Sequence, residues 1–287
     1  MEDRADRQGG SPRSVGRPRE RLIDDYRIDL PAILGIAHLG VRRATVFSTF
    51  GANAARGAVE SDFDPLACGA MEVIPAPPDQ TTLDSYKKEF EKWVVVCALR
   101  EAIEAFALFL DHIHLACVIM AHVEGRVTVE QADKWGADYS FLGLAQKLRL
   151  LRERFGVEFA DADMLLSINA FRNCLSHRRG VVGPEDCAQD GSFVVVWPGI
   201  ELFSASEDGE ERRVGFPVDV PVVMEAGAGL LIRTARKTTT FKLGDQLRLS
   251  PTQVTEAGQF LAQAAEAVCK SAQSYAEGLG LAGQNSA

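Results

Sequence analysis

Several kinds of signal are missing from this sequence. No C-x-x-C pair occurs among the six cysteines, which stand at 68, 97, 117, 174, 187 and 269. That spacing offers no structural zinc site, and a chain of 287 residues can build a core without disulfides. A reducing, cytoplasmic setting is the expectation. There is neither a glycine-rich phosphate loop nor a nucleophile elbow, which removes the common nucleotide-binding and serine-hydrolase readings. The first residues, MEDRADRQGG, mix both charges and contain no apolar h-region, so no signal peptide is read there. Long uncharged apolar runs are absent too. The most apolar stretch, Val94 to Met120, carries Arg100, Glu101, Glu104, Asp111, His112 and His114, too much polarity for a bilayer span, so no membrane partner is expected. Cations are outnumbered, 31 Lys and Arg against 40 Asp and Glu, for a net charge of -9. The overall field therefore repels nucleic acid, and only a local basic patch could bind it.

What remains is an ordinary globular composition, 46% hydrophobic and 25% charged. Residues 1–27 are Arg-, Gly- and Pro-rich and read as a disordered tail. Residues 28–80 read as a helical and loop segment, with one or two short helices between Leu30 and Val59, a turn at Ser61 to Pro65 and a rigid connector at Pro75 to Pro78. Residues 81–185 give the clearest helical signal. Thr82 is the expected N-cap, and Leu99, Ile103, Phe106, Leu110, Ile113, Cys117 and Met120 follow at alternating spacings of four and three. Gly125 ends that segment, Val129 to Phe155 adds one or two amphipathic helices, and Asp161 or Asp163 caps a helix running to Arg178, Arg179 and Gly180.

Past Gly180 the period changes to that of strands. Residues 186–249 read as an antiparallel β element built from Phe193–Trp197, Ile200–Phe203, Arg212–Phe216, Leu230–Ala235, Thr238–Leu243 and Gln246–Leu249, with the last two joined as a hairpin through Gly244-Asp245. Ser250-Pro251-Thr252-Gln253 offers a capping box for a last helix over 250–278, expected to pack back on the helical core, before a flexible tail at 279–287. The fold class is α+β: an antiparallel helical bundle, a small antiparallel β element and a C-terminal helix.

The chemistry concentrates in Arg172-Asn173-Cys174-Leu175-Ser176-His177. On a helix, Asn169, Asn173 and His177 share one stripe and Arg172 and Ser176 the next, while Leu165, Ile168, Phe171 and Leu175 take the buried side. Arg172 and His177 stand about 7.5 Å apart along the axis, so both can reach one phosphate beside the last turn. A guanidinium matches the equatorial oxygens of a phosphorane, and an imidazole can accept a proton from a ribose 2′-OH or donate one to the 5′-oxygen. Attack by the 2′-OH needs no metal-bound water, so neither metal nor cofactor is expected. The substrate is then RNA, with a 2′,3′-cyclic phosphate and a 5′-hydroxyl as product ends. One helix supplies only one histidine, which a two-fold dimer would remedy. Arg149, Arg152, Arg154, Arg178 and Arg179 are the expected basic surface for the RNA backbone.

This segment resembles the R-N-x-x-x-H signature of the HEPN superfamily of small helical domains, over about Leu83 to Val182. The resemblance implies a helical bundle, homodimerisation through the motif helices and metal-independent endoribonuclease activity. It also implies toxin, antiphage-defence or RNA-processing roles, with an antitoxin or another defence-system protein as partner. Arg172 and His177 match the catalytic pair and Asn173 the polar residue beside it. Where some relatives carry a Tyr two residues after the His, this chain has Arg179.

Other readings stand beside this one. Basic residues at a helix C-terminus complement the macrodipole without any catalytic role. Glu104 or Asp111, on the stripe with Arg100, Ala107 and His114, would orient Arg172 or His177, or simply face solvent in i,i+4 pairs. Cys174 reads as a small buried thiol. A catalytically silent HEPN-like module that binds RNA, a nucleotide or a protein is the alternative function. In a third reading the strand region is the working surface and the helices are scaffold.

Overall fold

The computed structural model describes residues 28–58, 79–206, 208–214 and 229–281. Its elements in chain order are α1 (Leu30–Gly57), α2 (Gln80–Val123), α3 (Val129–Ser140), α4 (Leu144–Phe155), α5 (Ala162–His177), β1 (Ser192–Ala205), β2 (Glu211–Val214), β3 (Gly229–Lys242) and α6 (Pro251–Gly278). Helices and a three-stranded antiparallel sheet make this an α+β fold. The expectations for residues 1–27, the turn at Ser61 to Pro65, the connector at Pro75 to Pro78, Gly215-Phe216 and the tail beyond 281 lie outside the described residues.

Leu30 to Gly57 forms one helix of 28 residues rather than one or two short ones. Its alanines and glycines are the reason. Gly40 and Gly51 let α1 lie directly on α2: a Cβ at Gly40 would stand 2.0 Å from the Ala105 Cβ, and one at Gly51 would stand 2.7 Å from Val94 Cγ1. Small residues that weaken an isolated helix are here the means of close packing. Among the described residues, α1 is the one helix long and apolar enough to cross a membrane. In the fold its buried stripe, Ala37, Gly40, Ala44, Ser48, Ala52 and Ala55, lies against the bundle.

Helix α2 runs for 44 residues, and its N-cap lies three residues before the expected Thr82. Asp79 is the N-cap, its carboxylate accepting the Thr82 N–H at 2.7 Å, since Asp is the stronger capping residue. Leu99, Ile103, Phe106, Leu110, Ile113, Cys117 and Met120 are all buried, as their spacing requires. Helix α6 starts at the Ser250/Gln253 capping box and packs antiparallel on α1, with Gly258 facing Val41 and Thr45 and Glu266 reaching His38 at 3.7 Å.

The sheet order is β2-β1-β3. Two pairs of expected short strands are each one long strand, and β1 pairs with β3 from Ser192↔Lys242 to Ala205↔Gly229. Pro198 does not break β1, because the Val196 N–H points away from β3 to Ser167 Oγ at 2.7 Å. Pro198, two residues on, has its missing donor on that same outer side, where no strand pairs with it among the described residues. The expected hairpin through Gly244-Asp245 does not form. Gln246 instead bridges Val181, and the Leu247 N–H donates to the Gly180 carbonyl at 2.7 Å. Gly-Asp lacks the turn order that would have closed two strands directly.

Substituting Gly40 with Val should force α1 and α2 apart and lower stability by about 2 kcal/mol or more. Chemical denaturation of the variant and of a Gly35→Ala control, whose added Cβ meets open space, checks this.

Candidate active site

Helix α5 is trapped between the long helix and the sheet. Met164, Leu165, Ile168, Phe171 and Cys174 are buried, the Phe171 ring meets Trp197 edge-on at 5.2 Å, and Ser167 takes the β1 backbone bond described above. At its N-terminus, Asp161 occupies the N-cap position but caps no backbone N–H. Its carboxylate accepts from Arg236 Nη1 of β3 at 2.9 Å, and Asp163 pairs with the same guanidinium. At the other end Arg179 and Gly180 both adopt positive φ, 55° and 79°, and the Gly180 N–H returns to the Cys174 carbonyl at 3.1 Å. The helix therefore stops right after His177, and Ser176 and His177 are exposed at its tip.

Arg172 and Asn173 sit half-buried one turn earlier. Arg172 Nη1 donates to Asn173 Oδ1 at 2.9 Å, so the Asn fixes the guanidinium plane rather than His177. Its Nε is buried and has no hydrogen-bond partner among the described residues. Burial lowers the pKa of the guanidinium below its ordinary value, with Glu104 opposing and Arg100 adding to the shift. The charges acting on Arg172 are those of Arg100 and Glu104 of α2, whose Nε and Oε1 are 3.4 Å apart. Arg100 was placed on the Glu104 stripe from the sequence but was given no role of its own. On a half-buried cation, such an unanswered donor is open to an acceptor.

The remaining expected residues divide. Arg179 is exposed next to His177, and its guanidinium has no acidic partner among the described residues. Arg178 is committed elsewhere: its Nε donates to Asp186 Oδ2 at 2.8 Å, Glu185 lies 3.3 Å from Nη1, and the Asp186 carboxylate also closes the following loop on the Gly183 N–H. Arg149 and Arg152 lie on α4 beside Glu153 (3.5 Å) and Glu158 (2.9 Å). They rim a groove of about 720 Å³ floored by Leu148, Leu166 and Val268. Leu166 precedes His177 by eleven residues, about 16 Å of helix, so these two arginines and the motif do not converge within one chain.

No family model, curated protein or solved structure matches the chain.

Asp111 is not brought to the motif. Its Oδ1 accepts from Lys147 Nζ of α4 at 2.6 Å, and Lys147 is buried. One turn on, His114 stacks on Tyr139 of α3 with ring centroids 3.8 Å apart, and the Tyr139 hydroxyl donates to the Lys147 carbonyl at 3.0 Å. Arg154 Nη1 approaches His114 Nε2 at 3.4 Å, which places the acceptor nitrogen toward the guanidinium. This is a clamp joining α2, α3 and α4. Burial first, then Arg154 and Lys147, lower the His114 pKa from 6.5 to about 4. A ring depressed in the folded state takes its proton more readily when unfolded, so stability is full above pH 6.5 and falls as the pH drops toward 4. Between pH 6.5 and pH 5 this group should cost the fold about 2 kcal/mol. His114→Phe, which keeps a ring against Tyr139, should remove that part of the pH dependence in denaturant titrations; equal slopes in both proteins would refute it.

Proposed function

We propose that the chain is a metal-independent endoribonuclease of the HEPN kind, acting as a homodimer on RNA in a toxin or antiphage-defence role. The observation that carries the reading is Arg172: a guanidinium fixed by Asn173, with a buried donor left open, one helical turn from an exposed His177. In the reaction the ribose 2′-oxygen bonds to the adjacent phosphorus and the bond to the 5′-oxygen breaks. His177 in its neutral form takes the 2′-hydroxyl proton. The imidazolium of His177 in the second copy protonates the departing 5′-oxygen, which supplies the opposite protonation state that one chain lacks. Arg172 stabilises the phosphorane oxygens, where negative charge grows. Arg179 contributes a free cation for the flanking backbone.

The same geometry favours a second reading on one specific ground. Each site holds one titratable ring, and anion capture by Arg172 and Arg179 alone would make a binding module without catalysis.

With mixed RNA in EDTA, His177→Ala should reduce cleavage by about 100-fold or more, and Arg172→Met by a similar factor, with helicity and unfolding midpoint retained for the exposed His177 variant. Cleavage at the wild-type rate in both variants would overturn the proposal. RNA binding without any cleavage in the wild type would establish the second reading instead.

A further inference from the structure

The outer part of the α1–α2 hairpin carries a surface that the proposed chemistry does not use. The two helices run antiparallel, with Gly51 on Val94 and Gly40 on Ala105, and they are tied by Arg43 to Glu101 at 3.6 Å and Arg56 to Glu91 at 3.0 Å. Turning 100° per residue from these contact positions, Phe47 and Phe50 of α1 and Phe90 and Trp93 of α2 fall on one side of the hairpin. That side bears the Arg43–Glu101 pair and faces away from α6. All four rings are exposed, at 62%, 68%, 43% and 62% respectively, and Phe90 and Trp93 stack at 6.0 Å. Between Asp84 and Trp93 no α2 side chain is buried, so this stretch of α2 adds nothing to the core.

We propose that this aromatic face docks on the same face of a second copy of the chain. The four rings leave about 500 Å² of aromatic surface in water. With flanking Val46 at the margin, two such faces would bury about 1,100 Å² in total, at the small end of specific interfaces, and aromatic residues are what such interfaces enrich. The polar residues along the same side are balanced in sign, Arg43 and Arg100 with Glu101 and Glu104. An anionic lipid surface or a nucleic acid would call for an excess of cations. A second copy needs no such excess, and two antiparallel hairpins meeting face to face form a four-helix bundle with the aromatic seam in its core. Because Arg100 and Glu104 also flank Arg172, the docking face runs on into the site proposed above. The self-association itself stands whether or not the chain cuts RNA.

Sedimentation velocity of the full chain across the micromolar range tests this. The wild type should sediment at twice the 31.2 kDa chain mass. Phe50→Ser/Trp93→Ser should halve that mass while helicity and unfolding midpoint stay as in the wild type, since neither ring is part of the core. Phe47→Glu/Phe50→Glu is a second variant with the same expected result. A monomeric wild type, or dimers that persist in both variants, would overturn the inference. So would flotation of the wild type, but not the variants, with phosphatidylserine vesicles, which would assign the face to lipid.

Discussion

The packing of Phe171 against Trp197 determines what the motif helix can show to the outside. With Trp197 on one side and α2 on the other, α5 is turned so that its apolar residues are enclosed and Asp163, Ser176 and His177 are its exposed positions. Burying a ring of this size contributes about 2 kcal/mol, and the edge-on pair adds roughly 1 kcal/mol. The Ser167 bond to β1 fixes the rotation as well as the distance. Had the helix turned by one residue, about 100°, Arg172 would lose its position against α2, and the guanidinium would be an ordinary solvated cation. The sheet is therefore a buttress for the site even though it contributes no group to it.

Helix α2 acts as a ruler along which three different environments are spaced. Near its start it carries the exposed aromatic face. At Arg100 and Glu104 it faces Arg172. From Asp111 to His114 it joins α3 and α4 through a buried ion pair and a stacked ring pair. A single helix can hold these apart only because it is uninterrupted, and its core seam of Leu99 to Met120 is what keeps it so. The charged residues that disqualified the stretch as a membrane span are each in use: Arg100 and Glu104 beside Arg172, Glu101 on Arg43, and Asp111 on Lys147.

Much of this was legible in the residues. The seam of α2, the capping box of α6, the stop after His177 and the burial of Cys174 all follow from local spacing and propensity. Local signals failed where tertiary contact decides. The alanines and glycines of α1 look like weak helix formers, and their use is visible only beside Ala105 and Val94. The break at Pro198-Gly199 suggested two strands, because nothing in the sequence says that the outer side of β1 there lies against α5. Arg178 looked as free as Arg179, since Asp186 lies beyond a chain reversal set by Arg179 and Gly180. Asp111 shares a stripe with Glu104, but seven residues of helix carry it to a different partner. The four exposed rings of the aromatic face were indistinguishable from core aromatics.

The central claim is that Arg172 and His177 act on one phosphate of an RNA chain, with the neighbouring 2′-hydroxyl as nucleophile. End-group analysis of a short RNA carrying a single 2′-deoxy nucleotide at the scissile position addresses it most directly. The account predicts that the all-ribose strand yields 2′,3′-cyclic phosphate and 5′-hydroxyl ends, while the substituted linkage stays intact. Cleavage at the deoxy position, or fragments ending in 3′-hydroxyl and 5′-phosphate, would contradict it.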